Sequence, residues 1–220
     1  MPEPLVKVCG LSNLETLESA IQAGADMVGL MHVERSPRHI SLPLAATLAG
    51  KTCGRVDVAV VTVDPDDALV ELIARDIKPD WLQLHGCEPP ERVAEIKALA
   101  RTRVIKALGI REAEDVDKVA LYQSVADLFI LDAKPPQDAT RAGGLGETFD
   151  WQLLDGVDPS TRYLLAGGLT IDNVADGLAA SGAVGVDASS SMEISKGVKD
   201  PDLIYRFVHA AKSARQHATA

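Results

Sequence analysis

Cysteine, clustered positive charge and long apolar runs are all scarce in this chain, and each scarcity closes off a class of protein. Only three cysteines occur, Cys9, Cys53 and Cys87. They are too few and too scattered for a disulfide framework, and no CxxC pair suggests a metal site. The 22 basic residues form no run, and against 32 acidic residues they leave a net charge of −10. A nucleic-acid partner is therefore not expected. An anionic ligand would need local help from backbone N–H groups or a few placed cations. No apolar stretch approaches the roughly eighteen residues of a membrane span, and the N-terminus shows no signal-peptide pattern. A reduced, cytoplasmic compartment without a membrane partner is the expectation. The remainder is ordinary globular composition, 46% hydrophobic and 25% charged over 220 residues.

The punctuation of the chain repeats. Val6–Cys9 is a short apolar strand, and Ser12 and Glu15 follow it at capping-box spacing. Leu14, Leu17 and Ile21 then mark one helical face. Met27–Met31 reads as the next strand, and Ser41 and Pro43 open a second helix. Further strands are expected over 55–63, 81–85, 103–108, 128–132, 163–166 and 184–187. Asp64-Pro65 and Pro89-Pro90 mark helix starts between them. The strands are apolar on both faces, as parallel strands covered by helices should be. Asp26, Asp80 and Asp127 each precede an apolar run, at spacings of 80 − 26 = 54 and 127 − 80 = 47 residues. Each spacing is about two βα units, so these mark strands two, four and six, and "SGAVGVD" at Ser181 belongs to the same series. No linker interrupts the count. Eight βα units in one domain over residues 1–220 predict a (β/α)₈ TIM barrel with parallel strands, and a doubly wound open sheet is the alternative.

Barrel chemistry sits where strands end. Cys9 ends strand one; it is either a small buried hydrophobe or a base or nucleophile facing the barrel mouth. Asp132 ends strand six after four apolar residues. It is either a loop anchor or a carboxyl whose pKa is raised by desolvation, suited to a general acid. Lys7 shares the strand parity of Cys9, and a closed barrel sets strand eight beside strand one. An internal Lys7–Asp187 ion pair is expected, placing positive potential near the Cys9 sulfur and favouring thiolate. His85 is a candidate hydrogen-bond donor or near-neutral titrating group, whereas His32 reads as structural. Arg38, on the long loop after strand two, is either a solvated surface residue or a bidentate carboxylate partner. Phosphate-type signals cluster late: Gly143, Gly144 and Gly146; Gly167 and Gly168, ahead of a helix that Thr170 would cap; and Ser189 and Ser190. Loops after strands seven and eight are where barrels commonly hold phosphate.

Taken in order, "VKVCGLSNLE", "SPRHIS", "LQLHG", "VIKALG", "LFILDAK", "GGLGETFDW", "LAGGLTIDNV" and "VDASS…GVKD" resemble the phosphoribosylanthranilate isomerases of tryptophan biosynthesis from about Val6 to Asp200. The sequence leaves open a monomer or a homodimer; the resemblance implies a barrel without a cofactor, acting on a small phosphorylated substrate. It implies an Amadori rearrangement with Cys9 as general base and Asp132 as general acid. Arg38 would contact the anthranilate carboxylate, and Gly167, Gly168, Ser189 and Ser190 would hold the phosphate; His85 and Asp187, from their places at strand ends, are further candidate substrate contacts. Three departures stand out. Ser191 and Met192 replace Gly-Val after strand eight, Glu147 replaces a common lysine, and His32 and Glu34 replace an apolar or aromatic residue and a proline. A paralogue acting on another phosphorylated aminosugar, or a silent ligand-binding barrel, is the alternative function.

Overall fold

Closure of the sheet separates the two expected architectures. The structure, a computed structural model, describes residues 3–133 and 148–214. Eight parallel strands run in chain order: β1 (Leu5–Cys9), β2 (Met27–Met31), β3 (Asp57–Thr62), β4 (Trp81–Leu84), β5 (Arg103–Ile110), β6 (Leu128–Ala133), β7 (Tyr163–Leu165) and β8 (Gly185–Ala188). β8 pairs with β1, Lys7 lying opposite Asp187, so the sheet is a closed barrel and not an open doubly wound sheet. Strand β2 has the expected bounds, and the others shift by one or two residues at their ends.

The repeated aspartate has a structural cause. Asp26, Asp80 and Asp127 each accept the backbone N–H of the preceding odd strand, from Val6, Val58 and Val104, at 2.7, 2.8 and 2.8 Å. One carboxylate thus ties each of these three odd–even strand pairs at the amino-terminal end of the barrel, where a strand N–H would otherwise lack a partner. Val184, which has no carboxylate, occupies the matching place before β8. Instead the Tyr163 hydroxyl donates to the Ser181 carbonyl.

Alternation along the strands fills the barrel. Met27, Ala59, Trp81, Ile105, Leu128, Ile130 and Leu164 form the interior cluster. The intervening residues, such as Val8, Val28, Val60, Leu82 and Val186, pack outward beneath the helices. Each such side chain contributes roughly 1.5–3 kcal/mol on leaving water.

The helices are α1 (Leu14–Gln22), α2 (Leu42–Thr52), α3 (Asp67–Asp76), α4 (Pro90–Ala100), α5 (Ala113–Asp117), α6 (Val174–Ser181) and α7 (Pro201–Ser213), with 3₁₀ turns over 118–122, 151–156 and 190–192. Ser41 and the Pro89-Pro90 pair open α2 and α4 as expected. Three starts differ. Asn13, not Ser12, caps α1 by accepting the Thr16 N–H at 2.9 Å. Asp66 caps α3. Asp64 takes a left-handed φ of 46° and accepts the Cys87 N–H at 2.7 Å, joining two loops at the barrel mouth. Thr170 does not cap α6: its N–H donates to Asn173, the residue at the cap position.

A second lysine inside an apolar strand escaped notice in the sequence. Lys106 points outward from β5 and is 1% exposed. Its Nζ donates to Glu88 at 2.7 Å and to the Gly86 carbonyl at 2.9 Å. Glu88 also accepts the N–H groups of Asp64 and Gly86. The pair pins the β4–α4 loop that begins at His85. Lys106→Met leaves the Glu88 carboxylate buried without its cation, and should lower unfolding free energy by about 3–5 kcal/mol. Urea unfolding measures this, and a loss under about 1 kcal/mol would show the pair to be dispensable.

Candidate active site

A cavity of about 680 Å³ opens at the carboxyl ends of the strands. Cys9, Arg38, His85, Asp132, Gly167, Gly168, Asp187, Ser189 and Ser190 all line it. The glycine loop with Gly143, Gly144, Gly146 and Glu147 lies outside the described residues.

Two glycines build the setting of Cys9. A Cβ on Gly29 would lie 2.7 Å from the Cys9 sulfur and 3.1 Å from Lys7 Nζ, so both side chains occupy space that this glycine leaves open. Gly10 has φ +81°, and a Cβ there would sit 2.6 Å from Arg38 Cδ. The stem of Arg38 therefore crosses directly over the residue that follows the thiol. Lys7 is fully buried and its Nζ lies 2.8 Å from Asp187 Oδ1, the ion pair expected from strand order.

The electrostatics depart from expectation at two residues. Burial pushes the Cys9 thiol above its ordinary value, further raised by Asp187. Lys7 pulls it back without overcoming the desolvation. The resting enzyme thus holds a thiol, not the thiolate that Lys7 alone would favour. His85 does not titrate near neutrality. Burial lowers it to about 4, with Asp187 opposing and Lys7 and Lys106 reinforcing the shift. It is a neutral imidazole at pH 7. Its Nδ1 lies 3.0 Å from Gln83 Nε2. With that amide donating, the ring proton sits on Nε2, which is 3.7 Å from Asp132 Oδ2. Asp132 behaves as a desolvated carboxyl should: burial and the nearby Asp187 charge raise it to about 7, against the Ala133 N–H and Lys7.

Gly167 and Gly168 have φ of +84° and +63°. A Cβ on Gly167 would strike the Ala133 backbone nitrogen at 2.3 Å, so the end of β7 approaches β6 as only glycine allows. Ser189 Oγ donates to the Cys9 carbonyl at 2.9 Å. Ser191 lies in a 3₁₀ turn and has no positive φ, so the backbone does not require glycine there. Nor does His32 line the pocket: its Nδ1 bonds the Ile40 carbonyl at 2.9 Å within the β2–α2 loop, and Glu34 is exposed outside the cavity.

Three polar residues were not singled out in the sequence. Gln83 is 1% exposed and lines the cavity, yet its Oε1 has no hydrogen-bond partner among the described residues. It is the inward residue of "LQLHG", and strand parity with His85 was the signal available. Glu193 and Lys199 flank Arg38 and Ser189. Nothing in their local sequence reveals those long-range contacts.

A closed parallel barrel whose carboxyl-end cavity holds a thiol, a near-neutral carboxyl and a glycine-lined rim is the architecture of a (β/α)₈-barrel enzyme. A family model described as N-(5'-phosphoribosyl)anthranilate (PRA) isomerase matches residues 6–210, and the chain belongs to that family. An N-(5'-phosphoribosyl)anthranilate isomerase of Afipia carboxidovorans is 51% identical over 210 residues, spanning 96% of this chain and 90% of that protein. One from Rhodopseudomonas palustris is 46% identical over 96% of this chain and 99% of its own length. Among solved structures, the phosphoribosyl anthranilate isomerase of Thermotoga maritima superposes with a TM-score of 0.85 at 32% identity, covering 96% of this chain and 99% of that one. Another, solved with reduced 1-(o-carboxyphenylamino)-1-deoxyribulose 5-phosphate, gives a TM-score of 0.81 at 29% identity over 96% and 99%. The Thermotoga maritima enzyme is described as dimeric, with monomers generated from it. In this chain no helix among the described residues is long and apolar enough to cross a membrane.

Proposed function

We propose that this barrel converts N-(5-phosphoribosyl)anthranilate to 1-(2-carboxyphenylamino)-1-deoxyribulose 5-phosphate, with Asp132 as acid and Cys9 as base. The observation that carries this reading is the presence in one cavity of a carboxyl raised to about 7 and a buried thiol, on β6 and β1 across the barrel mouth. Asp132 protonates the furanose ring oxygen. The C1–O bond breaks as the anthranilate nitrogen lone pair forms C=N⁺. Cys9 thiolate removes the C2 proton, and the C2–H electrons form C1=C2 while the C=N⁺ pair returns to nitrogen. The enolamine then gains a proton at C1 and loses one from its hydroxyl to give the ketone. Solvent exchange restores the Asp132 proton and the thiolate. The backbone around Gly167, Gly168 and Ser189, with the Ser190 hydroxyl, holds the phosphate through N–H and O–H donors. Arg38 faces the aromatic carboxylate. His85 Nε2–H and the unpartnered Gln83 carbonyl are placed for sugar hydroxyls.

The acid titrates below the base here, so the working form, protonated Asp132 with Cys9 thiolate, is the minor of the two singly protonated forms. Below pH 7, Asp132 is protonated and the thiolate fraction falls about tenfold per pH unit. Above pH 7 the growing thiolate and the shrinking acid offset each other until the thiol itself titrates. Turnover of the ribotide, followed as loss of its fluorescence, should therefore give kcat/KM that rises to about pH 7 and then levels. Purified protein that binds the reduced product but does not turn over the substrate would sink the proposal. A profile flat from pH 5 to 8 would sink the assignment of Asp132.

A further inference from the structure

A tightly built polar cluster beside the reacting pair centres on Glu193, which begins the short strand β9 (Glu193–Ser195) of a hairpin with β10 (Val198–Lys199). Its side chain is 5% exposed. Arg38 Nε donates to Oε1 at 2.6 Å and Arg38 Nη2 to Oε2 at 3.0 Å, a bidentate pair. Lys199 Nζ donates to Oε1 at 2.7 Å, and the Gly197 N–H to Oε2 at 3.0 Å. The same ammonium donates to the Ser189 carbonyl and hydroxyl, each at 3.0 Å. Gly197 has φ +83°, and a Cβ on it would meet the Pro37 carbonyl at 2.5 Å, so the hairpin turn rests directly on the loop that carries Arg38.

A carboxylate is the wrong sign to place beside an arginine that must attract another carboxylate. It cancels one charge, and Lys199 supplies a second cation, leaving the trio with one net positive charge. What Glu193 adds is geometry. A free arginine side chain samples many rotamers and loses that freedom on binding, whereas one already held by two N–H groups presents its remaining donors in a fixed fork. Arg38 Nη1 has no partner among the described residues, and Arg38 lines the cavity. Burial opposes ionisation of Glu193, but bonds from Arg38, Lys199 and the Gly197 N–H outweigh it and hold the group at about 2, so the clamp is charged at any assay pH.

We propose that Glu193 is a positioning residue for substrate recognition: it fixes the Arg38 guanidinium so that Nη1 and the free edge of Nη2 meet the aromatic carboxylate, and through Lys199 and Ser189 it locks that fork to the loop after β8. This rests on the reading that Arg38 takes the carboxylate.

The test is a binding cycle that needs no turnover. The reduced product and its phenylamino counterpart lacking the carboxyl group are titrated calorimetrically into wild type, Arg38→Met and Glu193→Gln. Wild type should prefer the carboxylate-bearing ligand by about 10–100-fold, the range of hydrogen bonds to charged groups. Arg38→Met should lose that preference. Glu193→Gln should hold it to less than about fivefold, while binding the carboxyl-free ligand within about threefold of wild type. A Gln variant that keeps the wild-type preference overturns the role of Glu193 and leaves that of Arg38 standing. No preference in wild type, or full preference in Arg38→Met, overturns the assignment of Arg38 and the inference with it. A Gln variant that weakens both ligands equally marks Glu193 as merely structural and also overturns the proposal. If Glu193→Gln does not fold, Glu193→Asp, which keeps the charge but sits one methylene short, is read by the same ratio.

Discussion

Replacing Asp132 with asparagine should cut kcat by about a hundredfold or more and, at the same time, make the protein more stable at pH 8. The first effect follows from chemistry. Asparagine keeps the shape and polarity of the side chain, but it has no acidic proton to give the ring oxygen. The second follows from proton linkage. Asp132 has its pKa raised from 3.8 to about 7 in the folded state. Between those values the folded chain binds more protons than the unfolded one, so stability falls as pH rises through that window. Above pH 7 the full cost is present, and below about pH 4 it has vanished. A three-unit shift converts to about 4 kcal/mol. The side chain is 21% exposed, and asparagine pays its own desolvation, so a gain of about 1–3 kcal/mol at pH 8 is the expectation. Urea midpoints of wild type and Asp132→Asn at pH 4 and pH 8 measure the difference. An advantage equal at both pH values would refute the raised pKa, and near-normal turnover would refute the role. Cys9→Ala should lose turnover to a similar extent. Its thiol is already uncharged in the resting state, so it lacks the pH-dependent gain, and the pair of variants separates loss of chemistry from relief of a buried charge.

The parts of the site legible in the sequence are those that strand order alone brings together. Once eight βα units are counted, the carboxyl ends of β1, β4, β6, β7 and β8 must converge, so Cys9, His85, Asp132, Gly167 and Ser189, at those ends or just past them, fall into one cavity without any knowledge of side-chain packing. The Lys7–Asp187 pair is legible for the same reason, because closure sets β8 beside β1. What stayed hidden depends on loops and on solvent exclusion. Arg38 and Glu193 are 155 residues apart, on a loop and a hairpin whose contact no periodicity encodes. The direction of the Cys9 shift required weighing burial against the Lys7 charge, and that balance exists only in the folded molecule. Helix starts failed where several capping residues stand together. Ser12 and Asn13, or Asp64 and Asp66, compete for one position, and the winner is set by where the strand releases the chain.

Lys7→Met should lower the unfolding free energy by about 3–5 kcal/mol and depress turnover as well. Methionine fills nearly the same volume as lysine, so packing is largely preserved and the loss reads the charge. Lys7 is 0% exposed and Asp187 8%, and without Lys7 Nζ at 2.8 Å the Asp187 carboxylate is left uncompensated. That same carboxylate raises both Cys9 and Asp132, and Lys7 is the cation that offsets it at each. Removing Lys7 therefore pushes the thiol further from thiolate and the acid above 7. The acid limb of kcat/KM should move to higher pH while the plateau falls, a signature that simple destabilisation does not produce. Adding Asp187→Asn to Lys7→Met removes the orphaned charge, so most of the lost stability should return in the double variant and the acid limb should fall back toward 7. A single variant that unfolds within about 1 kcal/mol of wild type, or a double variant no more stable than the single one, would show that the buried pair is not what holds β1 to β8. In that outcome the lysine in the first strand would act through the thiol alone.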